Sequence, residues 1–500
     1  MEQDFQKTRI PCLDMQLRQV RNSEQTQELR LSDGMPDVGR VLCAWGQPIL
    51  RGKEWRGGEI SVSGGTMVWV LYAPEDGSSL RTMESWIPFR MEYDVEDQGR
   101  DGQIRCFCTV RSVDARALST RKILIRCSVC CYAQALRPIE AEMFSYQGEE
   151  EKLQVLRRRY PVRLWQEAGE KVFALDEELT VPPSAPQPEK LVYYTLNPEI
   201  SDAKILSGRV VFRGNANLHV LYLGEEGKMN SWEFPLSFSQ FGDLEGEYSP
   251  DAAVEILPSV TNLEMQVGDE GRLHVKCGLV GQYLVEDSRI LEVASDAYSL
   301  DRDIEPVSGE LMLPVVLDKR GVNLTVRQSL PGVSGTGVDV QFTMDIPRQK
   351  PRDGGVFLET AGTFQTLYYD GEGVLNASTA YWEGEVPLDV HENAWVDGRM
   401  QCCTQPQMLP DGEGQSLGPE VSLSMTCGGS SSIPMIMELK LGELLPKEPD
   451  TPTLILKRAG DQTLWELAKK LGTTVSRIQS ANHLEGEPEP ARMLLIPIPK

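Results

Sequence analysis

A gapless shift of 150 residues lays one stretch of this chain over the next, and that repeat limits the fold more than any single motif. Glu28-Leu-Arg-Leu31 falls on Glu178-Leu-Thr-Val181, Pro36 on Pro186, Val41 on Leu191 and Pro48 on Pro198. Ile60, Val62 and Gly64 meet Val210, Phe212 and Gly214. Val68-Trp-Val70-Leu71-Tyr72 meets Leu218-His-Val220-Leu221-Tyr222, and Gly77 meets Gly227. The match still holds where Ile123-Leu-Ile125-Arg-Cys127 lies over Leu273-His-Val275-Lys-Cys277. A third, divergent copy has Val356-Phe357-Leu358, then Leu367-Tyr368 followed by Gly373 at the same five-residue distance. At 500 residues the chain is too long for one core, and three copies commit most of it to similar units in tandem.

Each copy reads as strands. Val210 and Phe212 alternate with polar or small residues, and Leu218, Val220 and Tyr222 alternate again beyond Gly214-Asn215. That pattern predicts an antiparallel hairpin turning at Gly214-Asn215 with one face buried. A second turn is expected at Gly224–Gly227, Glu75–Gly77 and Asp370–Gly373. Proline-marked strands follow at Trp86-Ile-Pro88-Phe89, Trp232-Glu-Phe-Pro235, and Trp382 with Pro387. Later strands carry Ile123 and Ile125, Leu273 and Val275, and Val421 and Leu423. Each copy is expected to be a β-sandwich or barrel-like unit. A short helix is expected at Glu149–Arg159, opening on Glu149-Glu-Glu151 as a solvated helix start.

The last fifty residues follow another rhythm. Thr453-Leu-Ile-Leu is a short apolar strand running into Gly460-Asp461, where Asp461 is placed to cap a helix. Leu464, Leu467, Ala468 and Leu471 recur at helical spacing, and Gly472 stands where a left-handed C-terminal cap belongs. Thr474 can cap a second helix with Val475 and Ile478 inward, Asn482 suits a turn, and Leu494-Leu-Ile496 makes a strand ending at Pro497. This strand–helix–helix–strand order resembles the LysM domain, through Gly460-Asp461, Thr463-Leu464-Trp465, Ala468, Ala481-Asn482 and Leu494-Leu-Ile-Pro497. Gln462 is an extra residue between the usual Gly-Asp and Thr-Leu.

The repeats carry a resemblance of their own. Gly65-Thr66-Met-Val68-Trp-Val70-Leu71-Tyr72 with Ile87-Pro88-Phe89 is similar to the SPOCS domain of bacterial endospore proteins. Copy two has Asn215-Ala216 in place of the Gly-Thr pair. SPOCS repeats followed by one LysM resemble SipL-type spore coat morphogenetic proteins. The expected fold class is mainly β, with tandem β-sandwich-like SPOCS repeats and a small βααβ LysM domain. The repeats are placed at 25–140, 178–290 and 305–442, with a connecting segment at 141–177. A Pro-rich linker at 443–452, containing Pro446-Lys-Glu-Pro-Asp-Thr-Pro452, should display the LysM of 453–498 on a short, stiff tether. Val181–Pro188 is read as an extended linker near copy two.

Charge and composition remove several function classes. Net charge is −24; residues 451–500 carry seven Lys/Arg and five Asp/Glu, so they are +2 and the rest is −26. An acidic body repels nucleic acid and anionic lipid, and neither is expected as a partner. The start, Met1-Glu-Gln-Asp-Phe-Gln-Lys, has no apolar h-region, and no uncharged run approaches the ~18–20 apolar residues of a membrane helix. No membrane insertion is expected. Eleven cysteines, an odd number with adjacent pairs at Cys130-Cys131 and Cys402-Cys403, fit a reducing cytosol.

Chemistry is sparse. Four histidines serve the chain; His219 and His274 sit in alternating strands and are expected on the solvent side, His391 stands alone, and His483 follows Asn482. Cys127-Ser-Val-Cys130-Cys131 with Cys106-Phe-Cys108 is the candidate metal constellation, weighed against buried structural cysteine, which is favoured. No Walker loop, dinucleotide fingerprint or paired glycosidase carboxylates stand out. No catalytic residue, metal or cofactor is expected.

The LysM resemblance implies binding. In that family a shallow groove receives N-acetylglucosamine units, largely through backbone groups. The corresponding candidates are Gly460, Asp461, Thr463 and Leu464 on one side, with Asn482, His483 and Leu484 on the other. Against this stand plainer roles: Leu464, Leu467 and Trp465 as core, Asp461 as a cap, Asn482 as a turn former. The SipL-type resemblance implies a non-enzymatic scaffold of endospore coat assembly in the mother cell cytoplasm. Its LysM would dock on the coat morphogenetic ATPase at the forespore surface, alongside other coat proteins. The alternative is a peptidoglycan-binding protein of the cell wall or spore cortex.

Overall fold

The fold was read from a computed structural model that describes residues 5–96, 102–146, 153–224, 227–352, 355–390, 394–411, 414–446, 453–489 and 492–498. Repeat one contains β1 (Phe5–Arg30), β2 (Val38–Arg56), β3 (Glu59–Pro74), β4 (Arg81–Asp94), β5 (Gln103–Ser119) and β6 (Lys122–Tyr146). Alternation makes the strands: along β4, Ile87, Phe89, Met91 and Tyr93 are buried while Pro88, Arg90, Glu92 and Asp94 face solvent. Two antiparallel sheets, β1-β6-β5 and β2-β3-β4, close on that apolar face.

Repeat two repeats the plan with β7 (Leu153–Leu179), β8 (Pro188–Leu206), β9 (Arg209–Gly224), β10 (Met229–Asp243), β11 (Ala253–Val267) and β12 (Leu273–Ser299). Its sheets are β11-β12-β7 and β10-β9-β8. Repeat three runs through β13 (Arg302–Thr325), β14 (Gln328–Leu330), β15 (Thr336–Met344), β16 (Arg348–Arg352), β17 (Gly355–Tyr369), β18 (Leu375–Leu388), β19 (Trp395–Cys402), β20 (Met408–Asp411), β21 (Gly414–Leu417) and β22 (Glu420–Leu444). It keeps the sheet β13-β22-β19 and the meander around β17. In place of one long strand like β2 or β8 it has β15 and β16, and β14-β21-β20 form a small extra sheet.

Residues aligned by the 150-residue shift do the same work twice. The Tyr72 hydroxyl donates to the carbonyl of Pro36 at 3.1 Å, and Tyr222 donates to Pro186 at 3.0 Å. Gly77, Gly227 and Gly373 sit at φ 72°, 70° and 76° in the acidic turns, a left-handed conformation that glycine adopts without cost from a Cβ.

Three expectations are corrected. Gly214-Asn215 is not a turn: β9 runs straight through it, as β3 runs through Gly64. A Cβ on Gly214 would strike the Glu199 carbonyl and the Phe238 ring; one on Gly64 would strike the Ile49 carbonyl and Phe89. Each glycine lies beside a bulge, between Ile200 and Asp202 or between Leu50 and Gly52, where two backbones press together. The helix expected at Glu149–Arg159 is strand from Leu153 onward, since Leu153–Arg159 pair with β12; Glu149–Glu151 lie outside the described residues. Of the segment expected as a connection, 141–177, residues 141–146 end β6 and 153–177 make most of β7.

Those long strands serve two cores. Toward one end they complete their own sandwich. Toward the other, β1 supplies Ile10 and Cys12, β7 supplies Val162 and Leu164, and β13 supplies Leu311 and Leu313 to one shared cluster. Charged groups join the repeats as well. Arg105 reaches Glu255 at 2.9 Å, Tyr132 donates to Asp397 at 2.6 Å, and Tyr193 donates to Asp339 at 2.5 Å.

Candidate functional site

The tail is a small βααβ unit. Strand β23 (Leu454–Arg458) pairs antiparallel with β24 (Met493–Pro497), and between them lie α1 (Leu464–Leu471) and α2 (Val475–Asn482). Leu464, Leu467 and Ala468 from α1 meet Ile478 from α2 and Leu494 and Ile496 from β24, all buried. Gly472 ends α1 at φ 64°, and the Thr474 hydroxyl accepts from Arg477 N at 3.1 Å to open α2.

Asp461 does not cap α1; Thr463 does. Its hydroxyl accepts from Glu466 N at 3.2 Å while Thr463 N donates to Glu466 Oε2 at 3.0 Å, a reciprocal capping box. The extra Gln462 moves Asp461 two residues upstream of the cap, where it is exposed. Gly460 is exposed beside it.

Leu464 is buried, and its N–H donates to Glu487 Oε2 at 2.8 Å. Asn482 is no turn residue but the last of α2. Its amide donates to Ile478 O at 2.8 Å and Leu495 O at 2.6 Å, while its Oδ1 accepts from Leu495 N at 2.8 Å. His483 follows, exposed and left-handed at φ 50°, and Leu484 N closes the helix end on Gln479 O at 3.0 Å. Gly460, Asp461, Thr463 and His483 therefore offer surface, whereas Leu464 and Asn482 hold the fold together. Nothing in their spacing signalled Glu487, which is paired with Leu464 only by the return of the following loop.

The tail is not held at a distance from the repeats. The Trp465 indole N–H donates to Asp296 Oδ2 at 2.7 Å, and its ring meets Tyr298 edge-on at 4.9 Å between centroids. Lys469 Nζ lies 2.7 Å from Asp296 Oδ1, and the Tyr298 hydroxyl donates to Thr473 O at 2.7 Å. Burial alone would raise the Asp296 carboxyl, yet the bonds from Lys469 and Trp465 outweigh it and hold the group below its ordinary range. Burial, with the Asp296 charge second, pushes Tyr298 up to about 12. Most of the expected linker, 447–452, lies outside the described residues.

Elsewhere the repeats line an open-sided cleft of about 810 Å³ bordered by His219, Glu233, Glu255 and Asp345. His219 is not on the solvent side: it is 9% exposed, with Nε2 2.9 Å from Asp339 and Nδ1 3.6 Å from Glu233. Burial opposes its charge, but Asp339 and then Glu233 raise it to about 9. Glu255, beside Arg105 and Arg399, is lowered to about 2 although burial works the other way. Asp345 is ion-paired with Arg111 at 3.0 Å. His274 is half-exposed and contacts Asp176 at 2.7 Å; His391 lies outside the described residues. Cys106, Cys127, Cys130 and Cys131 are buried free thiols, and burial raises Cys127 to about 11. Among the described residues no group of three or more His, Cys, Asp or Glu converges as metal ligands, and no helix is long and apolar enough to cross a membrane.

Residues 187–267, spanning β8 to β11, match the SipL, SPOCS domain family, and residues 458–497 match the LysM domain family. No curated protein and no solved structure matches the chain. Both matched modules are binding or structural domains, and together they fit a sporulation protein. The chain is mainly β, with a SipL, SPOCS domain match in its second repeat and a LysM domain match in its tail.

Proposed function

We propose that the chain is a non-enzymatic scaffold of endospore coat assembly, made in the mother cell and encasing the forespore, whose LysM docks on a protein partner. By resemblance to SipL-type proteins, that partner is the coat morphogenetic ATPase. The observation that carries this reading is the state of the LysM groove. Backbone N–H groups of Thr463 and Leu464 already donate to Glu466 and Glu487, and the Asn482 amide is committed to Leu495. A glycan groove that works through backbone groups would need such donors open, whereas a protein can use the module's outer surfaces. Paired charges beside the cleft also support a structural body: His219, Glu255 and Asp345 each already face an opposite charge.

A second reading, peptidoglycan binding, draws support from the LysM match itself and from the exposed Gly460, Asp461 and His483. A single module would bind glycan weakly unless arrayed. Deleting residues 453–498 separates scaffold docking from a body that localises by itself. The expected product is folded, with unchanged β-sheet circular dichroism, but dispersed in the mother cell; normal placement around the forespore would refute docking through LysM.

A further inference from the structure

The two strands of the LysM sheet have outer edges in different states. Ile498 N donates to Thr453 O at 3.0 Å and Ala459 N to Arg492 O at 2.7 Å, which fixes the phase of the ladder. Bonded and non-bonded pairs alternate in an antiparallel pair. The pairs Leu454–Pro497, Leu456–Leu495 and Arg458–Met493 are thus the non-bonded ones. Main-chain N–H and C=O groups of Leu454, Leu456 and Arg458 consequently point away from β24.

On β24 the same phase turns Leu495 outward, and the Asn482 amide covers it by bonding both Leu495 N and Leu495 O. Among the described residues nothing covers β23 in this way. Natural proteins block open edges with charge, proline or a covering segment. Here Arg458 is the one outward edge residue with a charge, and Leu454 and Leu456, 53% and 62% exposed, form an apolar face with Met493 and Leu495 of β24, 49% and 40% exposed. Leu494 and Ile496 fill the opposite, buried face.

We propose that β23 is a strand-addition site, where an extended segment of a partner protein pairs with the open edge of Leu454–Arg458. Apolar residues at alternate positions of that segment continue the Leu454/Leu456 face, and a carboxylate meets Arg458, in keeping with the +2 charge of residues 451–500. A second copy of the chain fits less well. Each copy carries −24, so two copies repel one another. The proposal rests on the reading that LysM docks on protein.

The test uses the full chain and a synthetic strand, Glu-Val-Thr-Val-Thr-Val, in two forms N-methylated on alternate residues. One form loses the N–H groups that face β23, the other those that face solvent. The first should fail to bind while the second binds, and Leu456→Pro should weaken the second by about tenfold or more. That substitution removes an outward N–H and leaves every β23–β24 bond in place, and circular dichroism confirms the fold. Equal binding of the two forms, binding by neither, or no effect of Leu456→Pro overturns the proposal. Self-association of the chain abolished by Leu456→Pro also overturns it, assigning the edge to a second copy. Normal localisation of Leu456→Pro beside a mislocalised 453–498 deletion refutes the edge but leaves LysM docking standing. A normally localised deletion refutes the docking reading itself.

Discussion

The repeats and the LysM tail are built on opposite principles. The tail is held by neighbours in sequence: Thr463 with Glu466, Thr474 with Arg477, Gly472 at the end of α1. The repeats are held by partners far along the chain, such as Arg105 with Glu255, Tyr193 with Asp339, and the shared cluster of Ile10, Val162 and Leu311. The tail has caps and a core of its own and leans on the body through Asp296 and Tyr298, whereas the repeats share cores and ion pairs with one another.

The sharpest way to break this contrast is a single side chain at a point of backbone contact. Gly214→Val drives a branched side chain into the Glu199 carbonyl and the Phe238 ring. It should cost more than about 4 kcal/mol of body stability by urea denaturation. Gly460→Ala in the tail, where a Cβ meets nothing within 4 Å, should change stability by less than about 0.5 kcal/mol. Equal effects would erase the distinction.

Next in size is the titration of His219. Its folded value, raised to about 9 from an ordinary 6.5, means that charge stabilises the fold. Stability is fully present below pH 6.5 and is lost as pH rises toward 9, by roughly 3 kcal/mol. His219→Gln should flatten that window in the unfolding free energy, with the tail unaffected.

Smallest is the contact between the two regions. Trp465→Ala removes the Asp296 bond and the Tyr298 edge contact, worth about 2 kcal/mol together. The body's melting should stay put while hydrogen exchange rises in residues 453–498. A fall in body stability would show that the tail supports the sandwiches rather than resting on them.

The sequence displays features whose cause is local or periodic. Alternation in β4, the left-handed Gly77, Gly227 and Gly373, and the caps at Gly472 and Thr474 depend on near neighbours, so they are readable. Gly214-Asn215 looks like a turn because glycine and asparagine favour turns; only the approach of Glu199 from another strand explains a glycine in mid-strand. Glu149–Arg159 carries helix-favouring residues, yet over Leu153–Arg159 pairing with β12 overrides that preference. His219 alternates as a solvent residue should, but Asp339, 120 positions away, covers it. Of the candidates that the LysM resemblance implied, Gly460, Asp461, Thr463 and His483 lie at the surface, while Leu464 and Asn482 are buried in the fold. Glu487 and the Trp465 contact with Asp296 arise from tertiary approach, which no spacing encodes.

Sedimentation of the full chain with purified peptidoglycan addresses the central claim most directly, that the LysM groove is occupied by its own carboxylates and the module works on protein. The chain should remain in the supernatant. Strong co-sedimentation that disappears with Thr463→Ala or Asn482→Ala, in variants that keep native circular dichroism, would contradict it.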